Sequence, residues 1–172
     1  MKKLSSTFFL CLIFLLFSSC APDLTDDVEL AYDSVSCHTI DGNMWSPMAS
    51  SYMNWSDAID YCNNLTACGY SDWHLPTISE LRTLIKNCSG TVTGGSCGVT
   101  DNCLSWDECR NDACSGCDYD SNGKYSKLGD TDWFWSSSTL SDLTDGAWGV
   151  GFDAGYVSAN DKDYGNNVRC VR

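Results

Sequence analysis

The chain has 172 residues, 43% of them hydrophobic, with twelve cysteines and a formal net charge of -13. That length fits about one domain with room for a core. So acidic a chain excludes nucleic acid, repels anionic lipid head groups and sulfated polysaccharides, and leaves cations, basic proteins and neutral sugars as partners.

Met1-Lys2-Lys3 opens the chain with positive charge, residues 8–17 are apolar apart from the mild exception of Cys11, and Ser18-Ser19 are small residues suited to precede a cleavage point. The apolar run falls short of the roughly 20 residues that a membrane-spanning helix needs. Ending in Phe17-Ser18-Ser19-Cys20, this leader resembles a bacterial lipoprotein signal peptide. The resemblance implies cleavage before Cys20, lipid on its sulfur and new amino terminus, and attachment to a membrane. Phe17 departs from the usual Leu or Val, and an ordinary secretory signal is the alternative; both imply export. Residues 1–19 are therefore expected to be a signal peptide. Residues 20–34, acidic and without apolar period, are expected to be a lipidated tether. Ala21, where an inner-membrane retention signal has aspartate, implies sorting toward the outer membrane, on its periplasmic or its surface face. Loss of Lys2 and Lys3 with the leader takes the charge from -13 to -15.

Two helices are predicted next. Asn54 caps the first, with Asp57 as a capping-box partner; Ala58, Ile59, Cys62 and Leu65 share one face while Asp57, Asp60, Asn63 and Asn64 face out. The second starts at Pro76-Thr77, with Thr77 and Glu80 as a capping box and Ile78, Leu81, Leu84 and Ile85 as its buried stripe.

Residues 88–132 lose all periodicity and hold six of the cysteines: Cys88, Cys97, Cys103, Cys109, Cys114 and Cys117. With Cys37, Cys62, Cys68 and Cys170 they make an even set in an exported chain, which argues for a disulfide framework of up to five bridges. Two other readings compete at Cys103, Cys109, Cys114 and Cys117. Cys114-Ser-Gly-Cys117 has the spacing of zinc ligands and also of a redox pair, though both suit a cytosolic protein better. With little apolar surface in this loop region, bridges are expected to hold it.

Strands follow, at residues 133–138, 147–152, 156–159 and 167–172. Trp148, Val150 and Phe152 alternate with small residues, Asp153-Ala154-Gly155 suits a hairpin turn, and the intervening glycines leave room for a large neighbour against the backbone.

Three segments then read together: Asp41 to Trp45 (DGNMW), Trp55 to Leu84 with its HLPTISEL, and Trp135 onward with WSSS, AWGVGFDAGYVS and the closing NVRCVR. They resemble the Lcl C-terminal domain family, over roughly residues 35–172. His74 departs from the arginine more usual in that family, and the cysteine-rich stretch exceeds its minimal pattern. The family is similar to C-type-lectin-like domains and, more distantly, to formylglycine-generating enzymes. The resemblance implies an α+β fold in which two helices flank a twisted antiparallel sheet and the termini lie close together. It also implies a bridge between the first helix and the final strand, the places of Cys62 and Cys170, and the buried helix face of Cys62 agrees with it. The remaining pairings stay open.

Candidate sites are few. Asp118, Asp120 and Asn122, followed by Gly123 and Asp130, resemble the start of a calcium-binding EF-hand loop, but Gly129 stands where the bidentate glutamate belongs. The plain alternative is a polar turn. Most of the seven tryptophans are expected in the core, with Trp106 and Trp133 as the exposed pair that a ligand would meet. His38 and His74 lie far apart, Glu80 serves better as a cap than as a base, and a cysteine nucleophile would need a free thiol. The expectation is a non-catalytic envelope lipoprotein that presents a lectin-like domain to a protein or a neutral glycan. A structural envelope protein and a formylglycine-generating-like enzyme are the alternatives.

Overall fold

The computed structural model describes residues 36–172. The expected signal peptide, the tether and the lipid attachment at Cys20 lie outside the described residues.

The fold mixes few helices with two small antiparallel sheets. A hairpin opens it: β1 (His38–Ile40) pairs with β2 (Asn43–Trp45). Asp41 and Gly42 turn between them at φ 50° and 92°, and two successive positive φ values are what the tightest hairpin turns need. Helix α1 (Trp55–Asn64) starts at Asn54, whose side chain accepts from the Asp57 backbone N–H. Ala58 and Cys62 are buried, and the outward residues are those the periodicity assigned.

Helix α2 (Ile78–Arg82) carries the expected capping box of Thr77 and Glu80. It is shorter than its apolar stripe. Leu84 and Ile85 are buried, but their N–H groups bond back to Leu81 and Arg82, so the chain tightens out of the α-helical pattern. A short helix α3 (Trp106–Cys109) and a 3-10 turn (Asp112–Ser115) lie within the cysteine-rich region.

The second sheet has the order β3 (Trp133–Thr139), β4 (Gly146–Gly151) and β5 (Tyr156–Asp161), antiparallel throughout. Its two faces are covered differently. Phe134, Trp148, Val150 and Val157 belong to a core shared with α2 and the cysteine-rich region. Trp135 and Ala147 belong to a second core, with Ala58 and Cys62 of α1. A β carbon at Gly149 would lie 2.4 Å from the Phe134 carbonyl oxygen and 2.8 Å from the Trp133 ring, so the glycine does admit a large neighbour.

The expected final strand is not one. Residues 167–172 make isolated bridges, Asn167 to Phe134 and Val171 to both Trp45 and His74. Asn167 bonds to Trp133 of β3, and Val168, Cys170 and Arg172 then bond to Ala49, Ser46 and Met44. The ladder along residues 44–49 is broken where the Ser46 hydroxyl, not a backbone carbonyl, takes the Cys170 N–H at 2.9 Å.

Five disulfides brace the fold: Cys37–Cys68, Cys62–Cys170, Cys88–Cys117, Cys97–Cys114 and Cys103–Cys109. Cys62–Cys170 is the bridge the family resemblance implied. Cys114 and Cys117 go to different partners, and no thiolate is left at the four positions for the zinc or redox readings. Three bridges lie wholly within residues 88–132, as expected. The region is not without apolar substance, however, since Val99, Tyr125, Cys97, Cys109 and Cys114 are buried in the main core.

Candidate functional site: a groove at the end of the second sheet

Helix α3 has only four residues and is held from three directions. Ser105 caps it by accepting from the Glu108 N–H. Asp142, reaching over from the β3–β4 connection, accepts from the N–H groups of Trp106 (2.9 Å) and Asp107 (3.2 Å) and from the Ser105 hydroxyl (2.8 Å). The Trp106 N–H first, then the Ser105 hydroxyl, bring the Asp142 carboxyl down to about 2. Cys103–Cys109 closes the third side. The Trp106 ring stacks on buried Trp148 at 5.7 Å, and the Arg110 guanidinium lies over it at 4.7 Å from the ring centre.

The connection from Leu140 to Gly146 is closed on itself by Leu140 N–H to Gly146 O and Gly146 N–H to Leu143 O. This leaves the Leu143 side chain outside, with the residue 55% exposed. Between this connection and α3 runs a groove of about 260 Å³ lined by Trp106, Leu140, Leu143, Gly146 and Ala159, with Asp145 and Asp161 in its walls. A second cleft of about 320 Å³ adjoins α3, where Cys103, Cys109 and Glu108 contribute.

Trp106 and Trp133 are not an exposed pair. Both are half-buried, and they lie on opposite faces of β4: Trp106 against Trp148, Trp133 over Gly149. Trp133 also leans on Tyr156 at 5.4 Å, and its Nε1 is enclosed without a hydrogen-bond partner. Trp45, Trp73, Trp135 and Trp148 are buried, as most tryptophans were expected to be.

The expected calcium ligands do not converge. Asp130 is buried and turned inward, where both its oxygens meet Arg169 (shortest contact 2.7 Å) and one accepts from Ser126. Asp120 accepts from the N–H groups of Asn122 and Lys124, the Asn122 N–H first among the causes that lower its carboxyl pKa. Asn122 and Asp118 are exposed, and the Asp118 backbone carbonyl is taken by the Tyr125 hydroxyl. Among the described residues no group of three or more His, Cys, Asp or Glu is placed to hold a metal ion. Residues 118–130 do not fit a calcium cage; they form a polar turn that ends in a buried ion pair.

Of the histidines, His74 meets Glu80 at 3.1 Å, while His38 Nε2 lies 3.1 Å from the Ser36 hydroxyl. Glu80 also accepts from the Thr77 N–H, which is its capping duty. The groove residues Leu143, Asp145 and Asp161 escape a reading of motifs. Their signal was the apolar Leu143 among Ser141, Asp142, Thr144 and Asp145, and only the hairpin register brings Asp145 and Asp161 to one end of the sheet.

These features define a disulfide-braced domain of mixed helices and small sheets with a groove at one sheet end. The chain belongs to the Lcl C-terminal domain family, which it matches over residues 35–172. No curated protein and no solved structure matches it.

Proposed function

We propose that the chain is a non-catalytic cell-envelope lipoprotein, anchored at Cys20 and exported to the outer membrane. Its C-type-lectin-like domain presents the groove beside Trp106 to a protein or neutral glycan. The groove carries this reading: an open, partly apolar hollow whose walls include an exposed leucine and a half-buried tryptophan. The lectin-like assignment is supported by helices on the two sheet faces, by Cys62–Cys170, and by the hydrogen bonds that join Met44 to Arg172. A formylglycine-generating reaction needs a reactive cysteine pair, and the ten described cysteines are all bridged.

Two measurements test the reading. Cys20→Ser should move the protein out of the membrane fraction; unchanged membrane association refutes the anchor. The immobilised full chain and its Leu143→Asp variant should then be compared on arrays of neutral glycans and of peptides. A ligand bound by the parent and lost in the variant is expected. Identical, empty arrays would favour the alternative of an envelope spacer without a ligand.

A further inference from the structure

The lining of the groove discriminates between its two classes of partner. We propose that its occupant is a polypeptide segment that places a lysine or arginine beside an aliphatic side chain. This deepens the binding reading above and rests on it.

Leu140, Leu143 and Ala159 give the groove aliphatic surface, to which an aliphatic side chain is the matching partner. A neutral pyranose would want an open aromatic face instead. The only aromatic lining residue is Trp106, and Trp148 at 5.7 Å and Arg110 at 4.7 Å already engage its ring.

The polar lining selects for positive charge. Gly146 pairs with Asp161 across the β4–β5 ladder, so Asp145 and Asp161 stand at the same end of that hairpin. Both are exposed. Among the described residues the Asp145 carboxylate makes no hydrogen bond or ion pair, and that of Asp161 accepts only the Asp163 N–H at 2.9 Å. Lys162, the basic residue nearest in sequence, bonds to backbone at this end of the hairpin, its N–H to the Asp145 carbonyl at 2.9 Å and its Nζ to the Thr144 carbonyl at 2.8 Å. Its ammonium lies over the Trp55 ring at 4.1 Å without pairing with either carboxylate. Two carboxylates that form no ion pair among the described residues, beside aliphatic surface, complement a basic group carried next to an apolar one. The overall charge of -13 attracts such a segment and repels an acidic one.

The test is calorimetric titration of the detergent-solubilised full chain with three probes. They are a blocked pentapeptide alternating leucine and lysine, the same peptide with its lysines acetylated, and a neutral oligomer of N-acetylglucosamine. Three variants accompany the parent: Asp145→Asn with Asp161→Asn, Leu143→Ser, and Asp57→Asn with Asp60→Asn on the outward face of α1 as a control of equal charge change. The basic peptide should bind the parent, with affinity falling at least about tenfold in either groove variant and less than about twofold in the control. The acetylated peptide should not bind. Equal weakening by the groove and control pairs, undiminished binding of the acetylated peptide, or no binding of the basic peptide overturns the proposal. If the neutral oligomer binds instead and Leu143→Ser abolishes it, the groove reading stands and only the choice of partner falls. If no probe binds, both fall.

Discussion

Asp130 and Arg169 sit at the centre of what a residue-level reading can and cannot see. Asp130 looks like the tail of a metal loop because Asp, Asn and Gly crowd the residues before it. What decides its role is a guanidinium 39 positions later, in the closing motif, with side chains only 6% and 3% exposed. A pair this buried is costly to leave half-made. Asp130→Asn should therefore lower stability by about 3–5 kcal/mol, whereas replacing both partners, Asp130→Leu with Arg169→Met, should recover most of that loss. Chemical denaturation checks both, and a single substitution costing under about 1 kcal/mol would mean that the pair is solvated. Arg82 carries the same lesson. It donates to the carbonyls of Thr91, Val92 and Val99 and is buried, which lowers its pKa from the ordinary value. Its place four residues after Ile78, beside Leu81, put it on the buried stripe, but a charge there reads as surface until the facing carbonyls are known. Asp142 gives a pH prediction. Its carboxyl pKa is lowered from 3.8 to about 2, so what it contributes to holding α3 is complete above pH 4 and is lost as pH falls toward 2. The Trp106 indole resonance, followed by NMR, should hold still from pH 7 to about 4 and shift below it. In Asp142→Asn that acid transition should disappear.

At the scale of elements, legibility followed the strength of local signals. Helix caps at Asn54 and Thr77, the alternation of Trp148, Val150 and Phe152, and the turn at Gly155 were all visible, because a cap, a period of two and a positive φ are properties of a few adjacent residues. The hairpin β1–β2 was missed although Asp41-Gly42 is a strong turn signal, since strands of three residues are too short to show alternation. The last segment reads as a strand from its composition, but ladders depend on neighbours that lie 33 or 126 positions away. Gly149 tests the middle of the sheet. Its β carbon would meet the Phe134 backbone and the Trp133 ring, and backbone cannot step aside cheaply. Gly149→Ala should cost about 1–3 kcal/mol and blue- or red-shift the Trp133 emission, whereas Gly129→Ala, with open space around it, should leave that emission unchanged despite its positive φ.

For the whole molecule, one sheet divides two cores, and the bridges are distributed accordingly. Cys88–Cys117, Cys97–Cys114 and Cys103–Cys109 tie the cysteine-rich region to itself and so keep it pressed against the main core. The even number of cysteines made five bridges legible, but pairings inside that region were not, because spacing alone leaves many connectivities open. Cys62–Cys170 is different in kind: both sulfurs are buried in the second core, and 108 positions separate them. Loop-closure entropy for a span of that size gives about 4–5 kcal/mol, most of it from restricting the unfolded chain. The Cys62→Ala, Cys170→Ala variant should therefore lose about 4–5 kcal/mol, about 1 kcal/mol more than loss of the next longest bridges, Cys37–Cys68 and Cys88–Cys117. Cys103–Cys109 closes a loop of only 6 positions, so the Cys103→Ala, Cys109→Ala variant should lose about 2 kcal/mol. The readouts should separate as well. Without Cys62–Cys170 the whole domain should unfold at a lower denaturant concentration with its groove intact until that point. Without Cys103–Cys109 the fold should persist while α3 loosens and the Trp106 resonance broadens. Equal losses of stability from the two variants would contradict a division of labour in which one bridge closes the domain and another only sets the groove.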